Sequence, residues 1–160
     1  MSKEHAPRID RERAARYRNG MEQILPLQNR LADLARIEAA LLALVEAGTL
    51  PGAMVAEIQL LLEEAFTNIV KYAHADGRDD HPVQLRLQVT AGWLELELVD
   101  DGIAFDPFAQ AVDQLERPFA ERSDGLMGVP LIKALADEHR YARRGGHNHL
   151  TLRKRITGLA

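Results

Sequence analysis

The feature that most restricts how this chain can fold is a change of hydrophobic period at the polar loop "DGRDDHP", residues 76–82. Before it, "LADLARIEAALLALVEA" (31–47) repeats apolar side chains at helical spacing, and Gly48, Pro51 and Gly52 stop the run. A second helical stretch extends from about Ala53 to Ala75. After the loop the period falls to two: "VQLRLQV" alternates Val83, Leu85, Leu87 and Val89 against Gln84, Arg86 and Gln88. "TAGWLELELV" turns at Ala91-Gly92 and sends Leu94, Leu96 and Leu98 inward, so the two strands form a hairpin. One strand face therefore belongs to a core, and the opposite face is wet or covered by something polar.

From Asp100 to Asp124 no period is sustained, and the segment reads as a long loop of the kind that serves as a lid, with 103–123 expected to be its mobile part. "GVPLIKALAD" gives a third helix with Pro130 near its first turn. "HRYARR" and "HLTLRKRI" close the chain as a hairpin through Gly145-Gly146. The order helix, helix, strand, strand, lid, helix, strand, strand predicts an α+β two-layer sandwich, a mostly antiparallel sheet with helices on one face. Residues 1–20, where Arg8, Arg11, Arg13, Arg16 and Arg18 interleave with acids, read as a charged arm, and 21–157 as one domain.

Composition narrows the function. With 46% hydrophobic and 28% charged residues, 160 residues suffice for one cored domain. A net charge of −4 does not suit a phosphate-backbone binder, so nucleic acid is not expected as a main partner. The absence of cysteine excludes disulfides, zinc-thiolate sites and cysteine nucleophiles. Neither a signal-peptide core nor a membrane-length apolar run is present, which gives a cytoplasmic expectation. The only serines, Ser2 and Ser123, sit in no nucleophile elbow. His147 and His149 share one side of a strand without a third ligand at sensible spacing, and His74 and His81 flank an acidic loop; all four read as surface residues.

Three short stretches carry chemistry. In "LLLEEAFTNIVKYAH", Glu64, Asn68 and Lys71 fall along one edge of the apolar face, while Glu63 points away. An asparagine is a poor interior helix residue, because its amide competes for backbone hydrogen bonds. "DDGIAFDP" places Asp100 at the end of a buried strand with Gly102 two residues on, where a ligand could approach a backbone lacking Cβ. "GLMG", Gly125 to Gly128, opens a helix whose free N–H groups could face an anion. Each alone also reads as ordinary structure: a solvated helix edge, an Asp-Gly turn, a glycine pair.

In order and spacing, "EEAFTNIVKYAH", "DDGIAFDP" and "GLMGVPLIKALADEHRYARRGGHNHLTLRKR" resemble the three boxes of the GHKL, or Bergerat-fold, ATP-binding superfamily, and within it the small anti-sigma factor serine/threonine kinases. The resemblance covers about Leu31 to Ile156. It implies ATP and Mg²⁺ as cofactors. Asn68 would hold the magnesium and Lys71 would lie near the phosphates; Glu64 would be the catalytic base. Asp100 would accept from the adenine amine, Gly102 and Phe105 would belong to the nucleotide site, and Gly125 and Gly128 would help a lid close. It further implies a serine protein kinase and anti-sigma regulatory factor acting in partner switching. Its partners would be a sigma factor and a phosphorylatable anti-anti-sigma protein, with a homodimer common in the family. Departures are Leu126 where the family has glycine, Tyr72 for a frequent histidine, and Ala104 for proline or glycine. Leu126 keeps open the alternative of a catalytically weak or non-enzymatic partner-binding module of the same fold.

Overall fold

The structure, a computed structural model, describes residues 20–109 and 128–158. The described chain begins with a strand, β1 (Met21–Gln28), and a single 3₁₀ turn at Leu31–Asp33 that leads into helix α1 (Leu34–Glu46). A second 3₁₀ turn, Gly52–Met54, opens helix α2 (Val55–Tyr72). Strands β2 (Pro82–Thr90) and β3 (Trp93–Asp100) follow, then helix α3 (Gly128–Leu135) and strands β4 (Glu138–Arg144) and β5 (His147–Arg155). The five strands make one sheet in the order β1-β2-β3-β5-β4, and every neighbouring pair is antiparallel. The expected α+β sandwich is the observed one, with one element more than the sequence order contained.

That element is β1. Its inward residues Leu25 and Leu27 are buried, but Pro26 stands between them and the outward Ile24 that precedes them is an apolar residue 54% exposed. Proline is tolerated because β1 lies at the sheet edge, where one side of the backbone needs no ladder partner. The β2–β3 hairpin turns at Ala91 and Gly92 with φ of 45° and 84°. Positive φ at both central residues is the turn whose twist matches that of the flanking strands. Gly145 and Gly146 repeat the arrangement between β4 and β5.

The alternation in β2 and β3 sends Val83, Leu85, Leu87, Val89, Leu94, Leu96 and Leu98 into a single core with Ile37, Leu41 and Leu44 of α1 and Ile58, Leu61, Leu62 and Phe66 of α2. At ~25 cal/mol per Å² of apolar surface removed from water, this continuous cluster is the main force holding the two layers together. On the other sheet face Arg86 bonds Glu95 at 2.8 Å and Glu97 at 3.1 Å, and His149 lies 3.2 Å from Glu97. Among the described residues that face is covered by charge and not by a second layer. Asp33 fixes the entry to α1: although buried, its carboxylate accepts from the Gln28 amide at 2.7 Å and from Arg30 at 3.0 Å.

The charged arm, the segment expected to form the lid beyond residue 109, and Gly125 and Leu126 lie outside the described residues.

A candidate nucleotide site between α2 and the β3–β5 edge

The inward series of β3 runs Leu94, Leu96, Leu98 and ends in Asp100; that of β5 runs Leu152, Leu150 and ends in Asn148. Alternation thus puts a carboxylate and an amide at the rim of an otherwise apolar layer. The two residues are register partners. Both are 5% exposed, and Asn148 Nδ2 donates to Asp100 Oδ1 at 2.9 Å. The Gly102 amide donates to the same oxygen at 2.9 Å. Both bonds fall on Oδ1, so Oδ2 keeps acceptor capacity at the rim.

Asn148 is the centre of this network. Its Nδ2 also donates to the Ile103 carbonyl at 2.8 Å, and its Oδ1 accepts from the Tyr141 hydroxyl at 2.7 Å and from Arg143 at 2.9 Å. Arg143 donates as well to the Gly102 carbonyl at 2.7 Å. One buried amide thereby ties β3, β4, β5 and the loop after β3 to a single geometry. Such a fully bonded buried group is rigid, since each missing bond would leave a neighbour unsatisfied.

Above this rim lies a cavity of about 450 Å³, open solvent at its mouth included. Asp100, Asn68 and Asn148 supply its polar groups. Ile69 and Tyr72 of α2 with Ala73 at its C-terminal cap, Ile103 and Phe105 of the loop, and Tyr141 and Leu150 of the sheet supply flat and aliphatic walls. An apolar slot with a few convergent polar groups is the usual form of a small-molecule site.

The residues singled out by sequence are distributed unevenly around it. Asn68, Asp100 and Phe105 line the cavity. Glu64, one turn before Asn68, stands outside the lining and against Gly128: a Cβ on Gly128 would overlap the Glu64 carboxylate. Lys71 is exposed. Glu64, Asn68 and Lys71 make no side-chain hydrogen bond among the described residues, so the helix edge is not held by internal pairing. Gly102 is buried, and the space its side chain would need is taken by helix α2: a Cβ there would lie 2.5 Å from Ala73 Cβ and 2.6 Å from the Ala73 carbonyl oxygen. The close approach that this glycine permits is that of the helix end, which the Ile103 amide then caps by donating to Ala73 O at 2.9 Å.

Sequence reasoning missed Asn148, Tyr141 and Arg143. The signal for Asn148 was present, because a strand with inward Leu150 and Leu152 carries an asparagine at the next inward position. His74 and His81, read as exposed, are largely covered: their side chains retain 13% and 18% of their accessible surface. His147 is exposed as expected, and His149 is half-buried against Glu97.

Residues 27–154 match the family model of the histidine kinase-like ATPase domain. The chain belongs to this family. Over 97 residues it is 34% identical to the serine/threonine-protein kinase BtrW of Bordetella bronchiseptica, a stretch that spans 59% of this chain and 66% of that protein. A crystal structure of the RsbU and RsbW domains of a Mycobacterium tuberculosis protein superimposes with a TM-score of 0.57. That match covers 85% of this chain and 32% of the other at 16% identity, and it establishes likeness of fold. The family implied by the three sequence boxes is the family found, and among the described residues Asn68 of the first box and Asp100 of the second line one cavity, with Gly128 of the third against Glu64.

The donor set of the cavity is chemically compatible with a nucleotide, as an ATPase domain requires, and with a magnesium ion beside it. Asp100 offers a held acceptor suited to an exocyclic amine, the apolar walls suit a planar base, and Asn68, which makes no side-chain hydrogen bond among the described residues, lines the same cavity. A single amide oxygen suits Mg²⁺, which keeps most of its shell in water and phosphate oxygens. Among the described residues no helix is long and apolar enough to cross a membrane.

Proposed function

We propose that this chain is an ATP-dependent serine protein kinase of the anti-sigma type. It would phosphorylate an anti-anti-sigma protein and bind a sigma factor in partner switching. The observation that carries the reading is the convergence of Asn68 and Asp100, separated by 32 positions, on one cavity whose walls would hold a flat ring. The likeness to BtrW supplies the reaction class.

Each residue then has a defined task. Asp100, locked by Asn148 and the Gly102 amide, accepts from the adenine amine, while Phe105, Ile69 and Leu150 exclude water from the base. Asn68 orients the metal. Bound Mg²⁺ shields the phosphate charges, which is the main electrostatic need of phosphoryl transfer. Glu64 takes the proton from the acceptor serine hydroxyl, a role for which its place one helical turn from Asn68 is suitable. Gly128 leaves room for that carboxylate. Lys71 and Gly125 are assigned to the phosphates through the family resemblance. The cytoplasmic setting belongs to the same reading.

The test is transfer of labelled γ-phosphate to an anti-anti-sigma protein encoded beside this chain. Wild type should label the target serine. Glu64→Gln should lower transfer ~10²–10⁴-fold, the usual share of a general base, with nucleotide affinity unchanged. If wild type binds nucleotide but transfers nothing, the partner-binding module favoured by Leu126 is the better description. Unchanged transfer in Glu64→Gln would remove the base assignment.

A further inference from the structure

Next to the cavity, but not part of it, the end of α2 and the loop after β3 bring together a group of side chains that the kinase reading leaves without a task. His74 and His81 stack face to face, with ring centroids 3.5 Å apart and planes within 4°. His74 Nε2 lies 3.0 Å from Asp101 Oδ1. The line between them is wrong for a hydrogen bond, so this buried nitrogen has no hydrogen-bonding partner. His81 Nε2 lies 2.8 Å from Asp76 Oδ2. One nitrogen from each histidine and one Asp101 oxygen all fall within 4.8 Å of one another.

We propose that His74, His81 and Asp101 form a binding site for a zinc-like divalent cation, with water in the remaining position. Two imidazoles and carboxylate oxygens are a zinc-type donor set, whereas magnesium and calcium take oxygen ligands almost exclusively. The loop is built to hold the ligands. Asn29, 3% exposed, clamps it: the His81 amide donates to Asn29 Oδ1 at 2.9 Å, the Asn29 amide donates to the His81 carbonyl at 3.0 Å, and Asn29 Nδ2 donates to the Arg78 carbonyl at 3.0 Å. Outer-shell fixation of this kind orients metal ligands and is a regular part of such sites. Burial of an unpartnered imidazole nitrogen costs free energy that a metal bond would recover. A metal lies in the plane of each imidazole that binds it, so coordination requires a ring to turn out of the parallel stack about its side-chain bonds, until both nitrogens converge to the ~2.0–2.1 Å expected for zinc. Because Asp101 stands between Asp100 and Gly102, the cation would tie the end of α2 to the loop that carries the candidate nucleotide acceptor.

The experiment titrates the full chain with Co²⁺, without nucleotide or magnesium, and follows the visible absorption of a low-coordinate cobalt site. The band should saturate at one equivalent, disappear when Zn²⁺ is added, and be absent in His74→Ala and in His81→Ala. It should persist in a double variant, His147→Ala with His149→Ala, which removes the other histidine pair. Asp101→Asn keeps shape and sits on the surface, so it guards against misfolding of the histidine variants. It should weaken Co²⁺ at least by the ~10–100-fold that even an outer-shell change costs, and it should reduce the rise in melting temperature that Zn²⁺ gives wild type by mass action. Absence of a band in wild type would overturn the proposal. So would a band that survives in His74→Ala or is lost with His147 and His149.

Discussion

Asn148 donates to Asp100 across the β3–β5 ladder at 2.9 Å, and the pair is almost fully buried. Asn148→Ala removes that donor and strands the Tyr141 hydroxyl, so unfolding in urea should show a loss of ~1–3 kcal/mol, the usual cost of leaving a buried polar group unpaired. Asn148→Asp should cost more, because it sets a second carboxylate against Asp100. If nucleotide binds at this rim, both variants should weaken it, Asn148→Ala by loosening Asp100 and Asn148→Asp by repulsion at the same place. A stability change with unaltered nucleotide affinity would make the network purely structural.

Gly102 and Ala73 give a second prediction. Gly102→Ala places a methyl within 2.8 Å of Ala73 Cα, Cβ and carbonyl oxygen, and backbone atoms cannot move aside as the tip of a side chain can. A destabilisation of ~1–3 kcal/mol is expected from this overpacking. Adding Ala73→Gly removes only the Cβ part of the clash, so the double variant should recover little. Full recovery in the melting temperature would show that the backbone contact is compliant.

Asp33 supplies a pH dependence. Burial pushes its carboxyl up, but the Gln28 amide and the Arg30 and Arg36 guanidinium groups outweigh burial and hold it below the ordinary aspartate value of 3.8. The unfolded chain therefore binds the proton first as pH falls, and the stability that Asp33 contributes at neutral pH is lost as pH drops below about 4. Asp33→Asn should be less stable at pH 7, and its difference from wild type should shrink as the pH is lowered from 5 toward 3. A constant difference over that range would count against the assignment.

Much of this fold was legible because two periods do not mix. The alternation of β2 and β3 fixed which residues face the core, and the same count carried one step further points Asp100 inward. The α2 edge was legible for a similar reason: an asparagine inside a helix has few structural uses. β1 was not legible, since Pro26 breaks its pattern and its outward Ile24 resembles an inward residue; only the edge position makes both acceptable. Asn148 was legible as the next inward position after Leu152 and Leu150, but its role was not, because it depends on Asp100 and the Ile103 carbonyl, 48 and 45 positions earlier. The His74–His81 stack depends on the path of a loop clamped by Asn29, and no local pattern encodes a contact made through a residue 45 positions before His74.

Asn68 separates metal from base. Asn68→Ala should weaken Mg-ATP binding and phosphoryl transfer together, while nucleotide binding measured without magnesium should change much less. Equal losses with and without magnesium would assign Asn68 to the shape of the cavity instead of to the metal.

The central claim is that the cavity bounded by Asn68 and Asp100 binds ATP through Asp100, and calorimetric titration of Mg-ATP into wild type and Asp100→Asn tests it most directly. Wild type should bind with one site per chain, and Asp100→Asn, which puts an amide where an acceptor is needed, should bind ~10–100-fold more weakly while remaining folded. Equal affinity in the two proteins, or no binding to wild type at millimolar nucleotide, would contradict the claim.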